Sequence, residues 1–107
     1  MRVLRLKKKK EITAVLKSGK RVHAESLTIV YFPSKTGKMA VCVGKKYGKS
    51  VQRNRIKRLL REAYRANAEK LKSCSVLLIP KTAERYDYDR FRRDIRKLLA
   101  REGLFED

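Results

Sequence analysis

The spacing of apolar residues along the chain predicts three helices. The first covers residues 8–18, where apolar side chains recur every three or four positions and Gly19 follows as a helix stop. A longer helix covers residues 50–71, with Ser50 placed to cap its N-terminus. The third begins near Tyr88. The apolar stripes of the three helices comprise Ile12, Val15 and Leu16, then Ile56, Leu59, Leu60, Ala63 and Tyr64, and finally Phe91, Ile95, Leu98 and Leu99.

Extended segments separate these helices. Residues 21–32 form two alternating sets of side chains, as expected of a β-strand. The turn-forming residues 33–37 follow, so a second strand at residues 38–44 is predicted to pair antiparallel with the first in a hairpin. A short apolar strand at residues 75–80 lies between the second and third helices.

The order of the elements, α-β-β-(β)-α-β-α, predicts an α+β fold. We expect residues 1–107 to form a single-domain two-layer sandwich, in which a small mixed β-sheet packs against the helices. The strand at 38–44, the long helix and the strand at 75–80 then form a β-α-β unit, whose crossover is ordinarily right-handed. Residues 1–10 include the run Lys7–Lys10, which indicates either a mobile basic arm or the charged start of the first helix.

The net charge points to a polyanionic partner. The chain has 30 Lys and Arg against 11 Asp and Glu, a formal net charge of +19, and self-repulsion on this scale works against a compact state unless a polyanion is bound. A basic protein of the membrane surface would need exposed Trp, Phe or Leu beside the charge, and the sequence has no Trp. No export signal and no stretch of membrane-spanning length is seen, so we expect a cytoplasmic protein.

The side of the long helix opposite its apolar stripe is rich in cations. It carries Arg53, Lys57, Arg58, Arg61 and Arg65, with Asn54 among them. These cations lie about one helical turn apart, close to the spacing of successive phosphates on a polynucleotide. Arginine forks suit bidentate phosphate binding. A solvated helix face usually mixes Glu with Lys, whereas residues 53–61 contain no acid. The pattern therefore favours nucleic-acid binding over an ordinary solvated face.

Cysteine and histidine give no sign of a metal site. Cys42 and Cys74 lie inside apolar segments, so we interpret them as buried, reduced thiols rather than a disulfide pair. His23 is the single histidine, and there is no Cys-x-x-Cys, so a zinc site has almost no support.

A cluster of acids is the best candidate for an active site borne by the protein. Glu84, Asp87, Asp89 and Asp94 lie close together in sequence, as in a two-carboxylate metal nuclease. The simpler interpretation is that Asp87 or Asp89 caps the last helix, while the other acids pair with its arginines, namely Arg90, Arg92, Arg93 and Arg96. We therefore expect no catalytic residues in the protein.

The elements around the cationic helix narrow the choice of nucleic acid. A helix-turn-helix DNA reader needs two helices joined by a tight turn, but here a strand and a Lys-rich loop precede the basic helix. The aromatic pairs of an RNA-recognition sheet are missing too. What remains is recognition of the backbone and shape of a folded RNA.

The segment from Gly44 to Tyr64 resembles a known signature. It reads Gly-Lys-Lys-Tyr-Gly-Lys-Ser-Val-Gln-Arg-Asn-Arg-Ile-Lys-Arg-Leu-Leu-Arg-Glu-Ala-Tyr and is similar to the motif of the bacterial ribonuclease P protein family. The similarity extends to the N-terminal Arg5-Leu-Lys-Lys and to the order of the elements. It implies a left-handed β-α-β crossover, an exception to the general rule.

The resemblance also implies a function. The protein would be the non-catalytic partner of the catalytic ribonuclease P RNA, which removes the 5′ leader of precursor tRNA with bound Mg²⁺, and it would hold no cofactor tightly itself. No membrane or DNA partner is implied. The RNA-binding residues would be Lys45, Lys46, Lys49, Arg53, Asn54, Arg55, Lys57, Arg58, Arg61 and Arg65.

A cleft for the single-stranded leader would lie between the first helix and the sheet. The family often has aromatic residues there, whereas this chain places the aliphatic Ile12, Leu16 and Val30 at those positions. Leader contacts are then weaker or come from Tyr31 or Phe32 instead, because stacking on an aromatic contributes about 1–3 kcal/mol per base. The alternative is that the aliphatic residues are ordinary core.

Two other functions fit the same cationic helix. One is a structural or ribosome-associated RNA-binding protein, and the other is a DNA-compacting protein. Both would bind a polyanion, but neither would alter cleavage of precursor tRNA by the catalytic RNA.

Overall fold

A computed structural model describes residues 4–5, 9–35 and 37–106. The strands in chain order are β1 (Leu4–Arg5), β2 (Lys20–His23), β3 (Leu27–Pro33), β4 (Lys38–Val41) and β5 (Cys74–Pro80). The α-helices are α1 (Lys9–Ser18), α2 (Ser50–Arg65) and α3 (Tyr88–Arg101), and a short 3₁₀ helix (Lys45–Tyr47) precedes α2. The α+β class and the three predicted helices are confirmed.

Within the described ranges, five strands form one mixed sheet in the order β1-β4-β5-β3-β2. β4 runs parallel to both β1 and β5, whereas β3 is antiparallel to β5 and β2. Since β4 and β5 are neighbouring parallel strands joined through α2, the predicted β-α-β connection is confirmed.

The predicted hairpin between residues 21–32 and 38–44 is wrong. The hairpin of the sheet is β2–β3, with Val22 opposite Ile29, and β5 lies between β3 and β4. The physical reason is the burial of β5 on both faces, since both Leu77 and Leu78 are fully buried. A strand that is apolar on both sides takes a central place in a sheet, so the chain after β3 passes across β5 instead of pairing next to β3.

Helices lie on both faces of the sheet. Successive side chains of a strand point to opposite faces, so apolar residues of the strands are available on each face to pack against a helix. One face carries the larger core, to which α2 and α3 contribute; its fully buried members include Leu27, Ile29, Met39, Ile56, Leu60, Leu78, Ile95, Leu98 and Leu99. On the other face, Val15 of α1 packs with Val30, Ala40 and Leu77. The predicted sandwich thus corresponds to the sheet with α2 and α3, and α1 partly covers the opposite side.

Helix α2 ends earlier than predicted. It stops at Arg65 rather than near residue 71, and the Asn67 side chain donates hydrogen bonds to the backbone carbonyls of Ala63 and Arg92, each at 3.1 Å. Because the second acceptor belongs to α3, the bond that fixes this helix end is a tertiary contact. Leu71 instead forms an isolated β-bridge with Phe105.

The start of α2 also differs from the prediction. Lys49 occupies the N-cap position and Ser50 is the first helical residue, so the prediction that Ser50 caps the helix is wrong. The Ser50 hydroxyl accepts a hydrogen bond from Arg53 Nη2 at 3.2 Å. The side chain of Lys49 makes no capping hydrogen bond, and amide groups in the first turn of α2 remain available to an anion.

The predicted N-terminal arm lies partly outside the described residues. Leu4 and Arg5 pair in parallel with β4, and Lys9 and Lys10 belong to α1. The remaining residues of 1–10 are not among those described.

Candidate nucleic-acid interface

Burial of one side of α2 fixes the direction of its other side. Ile56, Leu60, Ala63 and Tyr64 are buried in the larger core, as the apolar spacing predicted, while Leu59 is half-buried at the edge of the stripe. A helix held in this way cannot turn about its axis without exposing apolar surface to water. The charged side chains opposite the stripe therefore start from a rigid base.

We call the predicted RNA-binding set the cationic face. It consists of Lys45, Lys46, Lys49, Arg53, Asn54, Arg55, Lys57, Arg58, Arg61 and Arg65. Arg53, Lys57 and Arg61 are half-buried and the other members are exposed. The structure thus places all ten on α2 or on the loop that leads into it. Their RNA-binding role stays a prediction.

One arginine of the cationic face is partly neutralised. Arg58 Nε lies 3.2 Å from Glu62 Oε1, one helical turn further along α2, and both side chains are exposed. Such a pair contributes about 0.3–0.5 kcal/mol, so it is easily exchanged for a phosphate. The stretch from Arg53 to Arg61 is free of acids, but the next residue is not.

Arg53 is held more closely than its neighbours. Its Nε atom is buried and has no hydrogen-bond partner among the described residues, while Nη2 donates to the Ser50 hydroxyl. A buried N–H without a partner costs free energy.

The Lys-rich loop before α2 is pinned to the sheet. The Tyr47 ring is buried, and its hydroxyl donates a hydrogen bond to the carbonyl oxygen of Pro80 at the end of β5. Burial raises the pKa of Tyr47, so the hydroxyl remains a donor at neutral pH. The Lys46 ammonium lies 5.2 Å from the centroid of the same ring, within the range of a cation–π contact.

Gly48 makes the turn from the 3₁₀ helix into α2. Its φ of 114° is a conformation that L side chains rarely adopt, and a Cβ there would lie 3.3 Å from Gln52 Cγ. The glycine therefore sets Lys45, Lys46 and Lys49 directly before the first turn of α2.

A second surface is the groove between α1 and the sheet, with a volume of about 290 Å³. It is lined by Glu11, Ala14, Val15, Ser18, Phe32, Ser34, Lys38 and Ser75. Phe32 is 41% exposed there. Glu11 Oε1 lies 3.5 Å from Lys38 Nζ, which links α1 to β4 across the groove.

The predicted cleft residues are divided between the two faces of the sheet. Ile12 packs beside the cluster that contains Val30, and Val30 is fully buried, so its side chain cannot touch a ligand directly. Leu16 is 39% exposed on α1. Tyr31 lies on the opposite face, where its hydroxyl donates to Glu102 Oε1 at 2.7 Å. Leader binding by Ile12, Leu16 and Tyr31 stays a prediction.

The clustered acids have separate environments. Asp94 Oδ2 accepts hydrogen bonds from the backbone N–H and the hydroxyl of Ser26, at 3.0 and 2.6 Å, and so ties α3 to the β2–β3 turn. Asp89 pairs with Arg92 at 3.7 Å, as predicted. Asp87 occupies the N-cap position of α3, but its side chain makes no capping hydrogen bond. The predicted position of Asp87 at the start of the helix is therefore confirmed, but the capping hydrogen bond from its side chain is not formed.

Potential metal ligands are scattered over the part of the chain that the structure describes. No three His, Cys, Asp or Glu side chains there come together as a metal site. Cys42 is half-buried and Cys74 buried, and both are free thiols. Desolvation raises the pKa of Cys74 to about 11. His23 Nδ1 lies 2.8 Å from the Thr28 hydroxyl, an ordinary contact across the β2–β3 hairpin.

Each helix in the described ranges is too short or too polar to span a bilayer. Together, the small α+β domain, the net charge of +19 and the cationic face define the class of nucleic-acid-binding proteins.

Comparison with known proteins identifies the family. The sequence model of the ribonuclease P family, described as "Ribonuclease P", matches residues 1–103. The ribonuclease P protein component of Coprothermobacter proteolyticus is 37% identical over 82 residues, covering 77% of this chain and 69% of the relative. The ribonuclease P protein component of Clostridium kluyveri is 36% identical over 112 residues, covering 99% of this chain and 100% of the relative. The solved ribonuclease P protein of Thermotoga maritima has a TM-score of 0.80 at 27% identity, covering 91% of this chain and 96% of that chain.

The chain therefore belongs to the ribonuclease P protein family. Its role is that of a protein subunit in the 5′ processing of tRNA, and its partner is the ribonuclease P RNA.

Proposed function

We propose that the protein is the non-catalytic subunit of its holoenzyme, and that it binds the ribonuclease P RNA through the cationic face. The observation that carries the proposal is the rigid backing of that face. Leu60 and Ala63 are fully buried beneath it, so the backbone positions that carry the cations are fixed before the RNA arrives. Preorganised charges lose less entropy on binding than mobile ones.

The cationic face supplies free positive charge. Lys45, Lys49, Arg55 and Arg65 are exposed and form no ion pair with any described residue. Each is available to neutralise a phosphate and release condensed counterions. Precursor tRNA and the catalytic RNA are both polyanions, and a protein of net charge +19 reduces their mutual repulsion.

We further propose that the groove between α1 and the sheet receives the 5′ leader of precursor tRNA. Phe32 offers an exposed ring for stacking one base, and Lys38 offers a charge for a backbone phosphate. Tyr31 is left out of this site, because its ring belongs to the opposite face and its hydroxyl is engaged by Glu102.

The chemistry is assigned to the RNA. Mg²⁺ bound by the RNA would activate the attacking water and stabilise the leaving oxygen, and the protein contributes positioning and electrostatics. Apart from Asn54, the members of the cationic face are lysine and arginine, which suit phosphates and not metal ions. Cleavage would take place in the cytoplasm.

Reconstitution tests the proposal. Precursor tRNA is incubated with a bacterial ribonuclease P RNA at a series of Mg²⁺ concentrations, with and without the protein. We expect the protein to lower the Mg²⁺ concentration needed for half-maximal cleavage, because it replaces part of the screening, and high Mg²⁺ to substitute in part for the protein. An unchanged Mg²⁺ requirement would favour a structural or ribosome-associated RNA-binding protein.

A second arm tests where the catalytic groups lie. The variant with Asp87→Asn, Asp89→Asn and Asp94→Asn should support cleavage about as well as the unaltered protein. Cleavage of precursor tRNA by the protein without RNA, abolished in this variant, would instead identify a protein nuclease.

A further inference from the structure

A surface pocket of about 300 Å³ lies where α2 meets the loop between β5 and α3. Ile56, Leu59 and Tyr86 supply its apolar lining. The volume is at the lower end of the range of small-molecule sites, which runs from about 300 to 1,000 Å³. The groove between α1 and the sheet is a separate surface. The pocket shares one residue, Arg55, with the cationic face.

Polar side chains surround the pocket on two sides. Gln52 and Arg55 come from α2, and Glu84 and Arg85 come from the loop. Arg55 and Arg85 are both exposed and form no ion pair with a described residue. Two guanidinium groups at one pocket favour an anionic group such as a phosphate.

The aromatic wall is fixed before any ligand arrives. The Tyr86 ring stacks on Phe91, with centroids 6.3 Å apart and an angle of 27° between the planes. Its hydroxyl accepts a hydrogen bond from the Ala83 backbone N–H at 3.1 Å. A ring held from behind and at its tip is a preorganised surface on which a planar ligand can stack.

We propose that this pocket binds one unpaired nucleotide of the RNA that lies on the cationic face. The base stacks on Tyr86 and the phosphate lies between Arg55 and Arg85, because Arg55 is shared by the pocket and the cationic face. RNA recognition by proteins commonly uses an unstacked base held against an aromatic ring and paired at its edge. The inference rests on the proposed function for the identity of this RNA.

The polar rim also selects among the bases. An ionised carboxylate only accepts hydrogen bonds, so Glu84 suits a base that presents N–H donors at its Watson–Crick edge. Guanine presents two such donors side by side. The Gln52 amide both donates and accepts, and it completes the pairing. Guanosine is therefore the preferred nucleoside.

The experiment uses the full chain labelled with ¹⁵N and titrated with guanosine, adenosine, cytidine and uridine 5′-monophosphates. Amide shifts are followed by NMR. Guanosine monophosphate should bind most tightly and move the signals of Gln52, Arg85 and Tyr86 together. Inorganic phosphate alone should leave the Tyr86 signals unchanged. Shifts spread evenly over the cations of the protein, with no cluster at Tyr86, would overturn the proposal.

Variants separate stacking, charge and base selection. Tyr86→Leu should weaken binding about 5- to 150-fold, the range expected for loss of one base–aromatic stack, whereas Tyr86→Phe keeps the ring. Glu84→Gln, at an exposed position, should abolish the preference for guanosine without abolishing binding. Arg85→Ala should weaken binding more than Arg93→Ala, which removes an equal charge from the exposed side of α3.

The variants also give results that would overturn the site. Equal losses in Arg85→Ala and Arg93→Ala, or an unchanged base preference in Glu84→Gln, would contradict it even if Tyr86→Leu fails to fold. The titration requires no ribonuclease P RNA. A negative result would therefore leave the subunit function standing, and a failed reconstitution would leave a positive titration valid.

Discussion

Gly19 follows α1 and lies close to the backbone of β3. A Cβ at this position would be 2.5 Å from the Val15 carbonyl oxygen and 2.9 Å from that of Tyr31. Both are backbone atoms, so neither can turn away as a flexible side chain would. The sequence predicted a helix stop at Gly19, but not this close approach, because the partner strand is known only from the structure.

Gly19→Ala should therefore destabilise the protein. We expect a loss of about 1–3 kcal/mol in the free energy of unfolding, the usual cost of an overpacked site. Denaturant unfolding followed by circular dichroism measures it. Gly37→Ala is the matched control, because a Cβ there meets no atom within 4 Å. Equal stability of the two variants would show that α1 can move away from β3 at little cost.

At the scale of the element, α2 shows what local spacing predicts well. Its buried and charged sides were both predicted, because a helix repeats every 3.6 residues whatever it packs against. The C-terminal end was missed because Asn67 is fixed by a carbonyl of α3. The pairing of β4 was missed for a similar reason: residues 33–37 resemble a hairpin turn, and only the burial of β5 on both faces decides otherwise.

The two sides of α2 should respond differently to substitution. Leu60 is fully buried, so Leu60→Ala should cost about 2–5 kcal/mol of stability. Arg55 is exposed and without an ion pair to a described residue, so Arg55→Ala should weaken RNA binding and leave the melting temperature nearly unchanged. Thermal melts and RNA titrations on both variants distinguish the effects. A harmless Leu60→Ala beside an early-melting Arg55→Ala would mean that the helix faces are reversed.

Glu102, the residue after α3, contacts β2 and β3 and gives a pH-dependent prediction. Glu102 lies 2.7 Å from Lys20 Nζ, and also accepts a hydrogen bond from the Tyr31 hydroxyl. The bond with Lys20 has the largest effect and the bond with Tyr31 the next largest, and both lower the pKa of Glu102 below its ordinary value of 4.5. Folding therefore favours the ionised carboxylate. Its contribution to stability is present at pH values above the pKa of Glu102 in the unfolded chain. It is lost as the pH falls through the lower pKa of Glu102 in the folded protein.

Glu102→Gln should therefore be less stable than the unaltered protein at pH 7. The difference should shrink as the pH is lowered below about 4.5. Denaturant unfolding at a series of pH values measures it. A difference in stability that stays constant from pH 7 to pH 3 would show that the ionisation of Glu102 does not contribute.

At the scale of the whole molecule, the charge and the cationic face were predicted more completely than the concave surfaces. The cations follow from the helical repeat and the motif, and all ten lie on α2 or the loop before it. The groove beside Phe32 depends on the distance between α1 and the sheet. The pocket beside Tyr86 depends on how the loop before α3 packs on α2. Neither of these tertiary arrangements is encoded in a local sequence pattern.

The salt dependence of RNA binding tests the central claim most directly. The claim is that the cationic face binds the ribonuclease P RNA through its phosphates. With about six phosphate contacts, affinity should fall roughly a thousandfold or more between about 50 and 200 mM salt. Arg55→Ala should make the slope of log affinity against log salt shallower by about one. An affinity that hardly changes over this range, or an Arg55→Ala slope equal to that of the unaltered protein, would contradict the claim.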